Sequence, residues 1–160
     1  MPIIAGYAAI CRINKISPLK GGVIVDIYDK LLHKMETLDV MDYELFDLNG
    51  MNYCPVDGTI TLKEFVDNDN AIHLYSFFDK VKLIEKFVKN DGKKALVSFE
   101  IFLKQPDNPK PGPSIVTHWV IEVSNDNKIT SIDSFWGVDK FKQELKQQYP
   151  EYSKLFLKKG

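Results

Sequence analysis

The sequence predicts an α+β domain in which the helices come first along the chain and the strands follow. Apolar residues in the first third recur at spacings of three and four, which is typical of one buried helical face. After about Phe77 the apolar residues alternate or run continuously, and many are β-branched or aromatic, as in strands. Helices that precede a run of strands pack on one face of an antiparallel sheet.

Three helices are predicted. The first runs from about Gly22 to Leu38 on the spacing of its apolar residues. The second, Leu62 to Val66, begins at a capping box, because Thr61 can accept from the third helical amide while Glu64 reaches back to the amide of Thr61. The last helix precedes Pro150 and has apolar residues four apart, at Phe141, Leu145 and Tyr149.

Four consecutive strands are predicted to form an antiparallel meander. Asn90-Asp91-Gly92 is a hairpin signal between the first two, a proline-rich loop from Lys104 to Pro113 joins the second to the third, and Ser124 to Lys128 turns the third into the fourth. The strands are Val81–Lys89, Ala95–Lys104, Ser114–Val123 and Ile129–Trp136.

Length and composition predict one domain over residues 1–160, with an N-terminal arm over 1–18, the main domain over 19–148 and a C-terminal tail over 149–160. Hydrophobic residues make up 44% of the chain and charged residues 27%, which is typical of a globular protein. The net charge of −1 provides no field for a nucleic-acid backbone, so we expect no nucleic-acid partner.

Cysteine usage and the N-terminus predict a soluble, cytoplasmic protein with no membrane partner. Cys11 and Cys54 are the only cysteines and do not make a disulfide framework. The apolar stretch from Met1 to Cys11 has no basic residue in front of it and is too short to span a bilayer. We interpret it as an ordered arm or first strand.

Four short segments carry a resemblance to a known superfamily: Ile24–Tyr28, Tyr53–Gly58, Trp119–Val123 and Lys128–Trp136. From about residue 20 to 148 the sequence resembles the superfamily of nuclear transport factor two, the SnoaL-type polyketide cyclases, ketosteroid isomerase and limonene epoxide hydrolase. The resemblance implies a cone-shaped, curved antiparallel sheet wrapped around a long N-terminal helix. It also implies an apolar cavity inside the cone and pairing of two copies through the outer face of the sheet.

The resemblance implies which residues line that cavity. Side chains two apart in a strand share a face, and in the superfamily's register Thr117, Trp119 and Ile121 face inward, as do Ile132, Ser134 and Trp136. Tyr28 matches the oxyanion-binding tyrosine of ketosteroid isomerase, and Cys54 stands at the position of its proton-shuttling aspartate. The predicted ligand-binding residues are therefore Tyr28, Cys54, Thr117, Trp119, Ile132, Ser134 and Trp136.

The catalytic residues of the superfamily are mostly absent. Trp119 replaces the acid donor of ketosteroid isomerase, Ser134 replaces an aspartate of limonene epoxide hydrolase, and Arg12, the only arginine, lies outside the matching strand. Tyr28 and Glu100 remain the candidate catalytic residues. Glu100 interrupts an apolar strand and could move a proton if that side faces the cavity.

Each candidate also has a structural interpretation. Tyr28 could be a core residue whose hydroxyl is satisfied locally, and Glu100 could be a solvated side chain on the outer face. Cys54 has no neighbouring base in the sequence and fits a small buried thiol. His118 falls on the outward side of its strand in the superfamily's register.

No metal or cofactor site is predicted. The three histidines, His33, His73 and His118, lie 40 and 45 residues apart, without the paired spacing of zinc ligands. Residues 67–70 begin like a calcium loop, but Ile72 stands where glycine is required, so we interpret them as a polar turn.

Three functions remain open. The first is the binding of a small hydrophobic ligand in the cone cavity without catalysis, and the second is a cofactor-free lyase, isomerase or cyclase acting on a hydrophobic carbonyl compound. The third is a structural dimerisation module. In each case we expect a homodimer formed through the outer sheet face, at Val116, His118, Val120, Asp133 and Phe135.

Overall fold

Three helices and a six-stranded sheet make up the described part of the chain. The computed structural model describes residues 26–70, 78–104, 113–148 and 150. The helices are α1 (Ile27–Thr37), α2 (Leu62–Asn68) and α3 (Val138–Gln148), and a single 3-10 turn spans Tyr43–Leu45. The strands are β1 (Phe46–Cys54), β2 (Gly58–Thr61), β3 (Phe78–Val88), β4 (Lys94–Leu103), β5 (Ser114–Val123) and β6 (Ile129–Phe135).

Helix α1 starts later than its periodicity predicts. Asp26 is extended, and its side chain accepts a hydrogen bond from the backbone N–H of Asp29, so it caps the helix and Ile27 is the first helical residue. Helix α1 is therefore 11 residues long and begins at Ile27, and residues 22–25 of the predicted helix lie outside the described residues. At the other end Leu38 adopts a left-handed conformation, which ends the helix where predicted.

The second helix follows its sequence signal. The hydroxyl of Thr61 accepts from the amide of Glu64, and the carboxylate of Glu64 accepts from the amide of Thr61. Both halves of the predicted capping box are present. Leu62, Phe65 and Val66 are buried against the sheet, and the helix continues two residues past the predicted end at Val66.

The predicted meander is confirmed. Strands β3 to β6 are neighbours in sequence order and pair antiparallel throughout. Gly92 has a positive φ of 70° in the turn between β3 and β4, a conformation that glycine adopts without steric cost. Residues 105–112 of the proline-rich loop lie outside the described residues, as do residues 1–25 and 151–160, which contain the predicted N-terminal arm and almost all of the predicted tail.

Two further strands, β1 and β2, extend the sheet beyond the meander and were not predicted. The strand order is β2-β1-β6-β5-β4-β3, and β1 runs parallel to β6, so the sheet is not purely antiparallel. The curved, open sheet confirms the cone-shaped α+β class. Strand β1 escaped prediction because its sequence, FDLNGMNYC, is rich in asparagine and includes a glycine.

The core lies on the concave side of the sheet. Helix α1 packs against β3 and α2 packs against β1. Odd-numbered residues of β4 and β5, including Val97 and Trp119, are buried there, whereas Leu96 and Val116 on the other face are exposed. No helix among the described residues is long and apolar enough to cross a membrane.

Candidate ligand cavity

A cavity of about 110 Å³ opens between the concave face of the sheet and helix α2. Most of its wall is apolar or aromatic and is contributed by α1, α2 and the strands β2 to β5, with one residue after β6. The apolar lining residues are Met35, Ile60, Phe65, Phe78, Ile101, Leu103, Ile115, Trp119 and Trp136.

Polar side chains gather on one part of the wall. Asn52 and Cys54 are two apart in β1, and Ser134 lies on the adjacent strand β6 and pairs with Trp119 of β5. Thr117 precedes Trp119 by two residues and shares its face. Neighbouring strands β1, β6 and β5 therefore bring these polar groups together, and the remaining polar lining residues are Asp57, Asn68 and Asp69.

Thr117 has an unused hydrogen-bonding group. Its side chain is 3% exposed, and its Oγ1 atom is the buried side-chain nitrogen or oxygen atom without a hydrogen-bond partner in the described part of the chain. Buried hydroxyls almost always find a partner, because an unmade hydrogen bond in the interior costs about 1–3 kcal/mol. A bound molecule would supply that partner.

Asp69 is the buried acid of the cavity. It is 8% exposed, directly follows α2, and has no hydrogen bond or ion pair within the described residues. Removal from water, and secondarily the charge of Asp57, raises the pKa of the Asp69 carboxyl to about 7. The group therefore changes between a neutral acid and a carboxylate near neutral pH.

The sequence predicted five residues of the lining. Cys54, Thr117, Trp119, Ser134 and Trp136 all face the cavity. Ile121 and Ile132 are fully buried in the core on the same face of the sheet and lie outside the lining. As residues that contact a ligand, all of them remain predictions.

Tyr28 does not line the cavity. Its hydroxyl donates a hydrogen bond to the carbonyl oxygen of Gly92, 2.9 Å away in the β3–β4 turn. Burial, followed by the charges of Asp26 and Asp91, raises the pKa of Tyr28 to about 12, so the hydroxyl stays protonated and remains a donor. This placement gives the tyrosine a structural hydrogen bond and leaves its predicted catalytic and ligand-binding roles without a contact in the cavity.

We expect Tyr28→Phe to lower the free energy of unfolding by about 0.5–1.5 kcal/mol, because the ring stays packed and one hydrogen bond is lost. The melting temperature should fall by a few degrees. Tyr53→Phe is the matched control, since Tyr53 is exposed on the outer face and its contact there is with the ring of Phe135. Equal melting temperatures for the Tyr28 variant and the unmodified chain would contradict the structural role.

Glu100 lies on the outer side of the sheet. It shares the face of exposed Leu96, pairs across the strands with Val116, and accepts a hydrogen bond of 2.6 Å from the hydroxyl of Ser114. His118 is exposed on the same face and shares a 2.8 Å hydrogen bond with the hydroxyl of Ser98. The structure therefore brings neither Glu100 nor Tyr28 to the cavity, and the two predicted catalytic residues do not meet there.

The sequence interpretation missed Asp69, which it placed in an ordinary polar turn. The sequence does contain a signal for burial of Asp69. Leu62, Phe65, Val66 and Asp69 occupy positions i, i+3, i+4 and i+7, which is the pattern of one helical face. That spacing places the carboxylate on the buried side of α2.

Among the described residues there is no cluster of three or more His, Cys, Asp or Glu side chains that could hold a metal ion.

Solved structures of other proteins are similar to this chain in fold. No family model and no curated protein matches the chain. An LEH-like epoxide hydrolase from M. tuberculosis is 14% identical with a TM-score of 0.57, over 76% of this chain and 87% of that one. A steroid delta-isomerase from Pseudomonas aeruginosa is 12% identical with a TM-score of 0.54, over 79% and 90%. A computationally designed 17-OHP binder is 14% identical with a TM-score of 0.57, over 71% and 92%.

These likenesses define the structural class. The chain has the fold of these proteins, and it is the fold that the sequence's resemblance to the nuclear transport factor two-like superfamily implied. At such low identity a shared fold does not transfer an activity, so function has to be argued from the cavity itself.

Proposed function

We propose that this protein binds a small, mostly apolar molecule carrying one polar group in the cavity between the sheet and α2. The observation that carries the proposal is the unpartnered Oγ1 atom of buried Thr117 in an otherwise largely apolar wall. Ligand pockets combine such an apolar lining with a few fixed polar groups. The fold is compatible with binding alone, since one solved structure of this shape is a designed binder.

The size of the cavity restricts the ligand. At about 110 Å³ it is smaller than the roughly 150 Å³ engineered cavity that takes up benzene. The part of a ligand that enters the described cavity is therefore limited to about one small ring or branched aliphatic group, and a fused multi-ring skeleton is too large for it.

Tryptophan fluorescence can test this proposal directly, because the chain has two tryptophans and both line the cavity. Titration with benzyl alcohol should give a saturable change in emission. Thr117→Val keeps the volume and removes the hydroxyl, and it should weaken binding by roughly 2- to 10-fold, the equivalent of one neutral hydrogen bond. Equal affinity in the two proteins would contradict the role of Thr117, and a linear, non-saturating response to benzyl alcohol and also to its amine and carboxylate analogues would contradict the proposed binding function.

Proton transfer by Asp69 is a second candidate function, and its support is the position of an acid in the cavity whose pKa is about 7. General acids and bases work best when their pKa lies near the operating pH. In this account Asp69, rather than Glu100, would move the proton in a cofactor-free lyase, isomerase or cyclase. Loss of turnover in Asp69→Asn with ligand affinity retained would separate this function from binding alone.

We further propose a homodimer formed through the outer face of the sheet. Val116 and Phe135 are nearly half exposed there, the ring of Tyr53 lies 6.3 Å from that of Phe135, and Leu96 is also exposed on this face. Exposed apolar patches of this kind mark interaction sites. Sedimentation at tens of micromolar should show a dimer, and Val116→Asp should shift it to monomer; a purely monomeric unmodified chain would exclude the dimer.

A further inference from the structure

The charge of the cavity wall is one-sided. Asp57 and Asp69 line it, while no lysine, arginine or histidine does so within the described ranges 26–70, 78–104 and 113–148. When ionised, the buried Asp69 carboxylate beside a low-dielectric cavity creates a negative potential that is only weakly screened. Such a wall favours a positively charged ligand and disfavours an anion.

The hydrogen-bonding groups of the cavity wall also favour a positively charged ligand. The Asp69 carboxylate is a pure acceptor when ionised. The amide nitrogen of Asn52 donates one of its two N–H groups to the carbonyl oxygen of Ile132 at 3.1 Å, which leaves its oxygen as an acceptor and its second N–H as a donor. The hydroxyls of Thr117 and Ser134 can accept or donate. A ligand that brings several N–H donors and a positive charge would satisfy this set better than an oxyanion would.

The aromatic lining suits a cation as well as an apolar body. Trp119 makes edge-to-face contacts with Phe65 and Phe99, with ring centres 5.8 and 4.7 Å apart, and both Trp119 and Trp136 line the cavity. Organic cations are attracted to the electron-rich faces of indole rings. An apolar ammonium can thus contact aromatic rings with both its carbon skeleton and its charge.

From these observations we infer that the ligand is a small primary or secondary organic ammonium ion, with one ring or branched group, whose N–H groups bond to Asp69 and Thr117. The inference rests on the proposed binding function and specifies its ligand class. Thr117 supplies the independent observation, since its unpartnered buried oxygen faces the same cavity as the acid. Binding would complete the hydrogen bonds of both side chains at once.

The inference predicts a pH dependence with a definite sign. Among the described residues the titratable groups that face Asp69 across the cavity are Asp57 and Cys54. A cation binds best when Asp69 is ionised, so affinity should rise as the pH passes upward through about 7, and binding at lower pH should release a proton. A neutral ligand that accepts from the protonated acid would show the opposite trend.

Three probes of one size and different charge separate the possibilities: benzylamine, benzyl alcohol and benzoate, titrated by tryptophan fluorescence at pH 5.5 and pH 8.0. Benzylamine should bind most tightly at pH 8.0. Its affinity should increase by about 10- to 30-fold between the two pH values, the ratio of ionised fractions for a carboxyl that titrates near pH 7. Asp69→Asn should weaken benzylamine by roughly 10- to 100-fold at pH 8.0 and remove the pH dependence.

Asp67→Asn is the matched control, because Asp67 lies in α2 two residues before Asp69, pairs with Lys63 and is not part of the lining. It should leave both the affinity and its pH dependence unchanged. Circular dichroism melts establish that each variant is folded, and Thr117→Val provides a second cavity variant, for which benzylamine binding should weaken several-fold.

The possible outcomes distinguish the inference from the proposal beneath it. Tighter binding of benzyl alcohol or benzoate than of benzylamine at pH 8.0 would overturn the ligand class and leave a binding cavity. Benzylamine binding that is unaffected by Asp69→Asn would overturn the role of Asp69. Failure of all three probes to bind at either pH would remove the proposed binding function, and the inference with it.

Discussion

Replacing Asp69 by asparagine is expected to stabilise the protein at pH 8, in contrast to most substitutions of buried residues. The pKa of this carboxyl rises from 3.8 to about 7 on folding. Since a tenfold change in an ionisation constant corresponds to about 1.4 kcal/mol, the ionised form costs up to about 4 kcal/mol of folding free energy at pH 8. Asparagine has nearly the same shape and carries no charge to desolvate.

The sign follows from proton linkage. Between about pH 4 and pH 7 the folded state holds a proton on Asp69 that the unfolded state has lost, so the stability of the unmodified chain falls as the pH rises through this range. Below pH 4 both states are protonated, and the variant should match the unmodified chain. Urea unfolding of the unmodified chain and of Asp69→Asn at pH 4 and pH 8 measures the two free energies of unfolding. The variant should be clearly more stable than the unmodified chain only at pH 8.

Asp67→Asn again serves as the control for this experiment. The carboxylate of Asp67 is exposed and accepts hydrogen bonds from Lys63 and Tyr43. The pKa of Asp67 is lowered mainly by the hydrogen bond from Lys63. Removing that charge should give no stabilisation at either pH. An Asp69 variant that is less stable than the unmodified chain at pH 8 would show that the carboxylate has a stabilising partner and would overturn the description of an unpaired acid.

Gly50→Ala is expected to be strongly destabilising. A β-carbon at residue 50 would overlap the carbonyl oxygen of Thr130 and come within 2.7 Å of Cδ1 of Leu62. The oxygen belongs to the backbone of the adjacent strand β6, so it cannot move away as a side chain can. Overpacking of this kind costs about 3 kcal/mol or more where the neighbour is rigid.

Gly137→Ala is the matched control for that substitution, since a β-carbon there meets no atom closer than 4.0 Å and the residue is exposed. It should change the free energy of unfolding by less than about 0.5 kcal/mol. Denaturant unfolding of the two variants measures the difference. Similar stabilities for the two alanine variants would contradict the close approach of β1 to β6.

The same contact explains why strand β1 was hard to predict. Gly50 lies within the irregular register between Phe46 and Met51, where β1 approaches β6 closely, and a glycine in that position lowers the strand propensity of the segment. The parallel pairing of β1 with β6 joins residues about 80 positions apart, such as Asn52 and Ile132. Local propensity carries no information about a partner so distant in the chain.

The candidate site could likewise be predicted only where residues close in the sequence determine the structure. Alternation within β5 and β6, together with the family resemblance, predicted that Thr117, Trp119 and Ser134 share the inner face, because a period of two depends on neighbouring residues alone. For Glu100 the face could not be decided in this way. Its environment depends on which side of β4 the helices cover, and that is settled by packing across the whole sheet.

Sequence alone therefore determined the capping box of α2 and the meander, and together with the family resemblance it determined the inward faces of β5 and β6, all of which depend on residues a few positions apart. Only the tertiary structure decided that the hydroxyl of Tyr28 bonds to Gly92 and that Asp69 and Thr117 line one cavity. The first pair is 64 positions apart in the chain, and the second pair, residues 69 and 117, is 48 positions apart. The closing of the sheet over the helices creates them, and with them the raised pKa on which the proposed chemistry of the cavity depends.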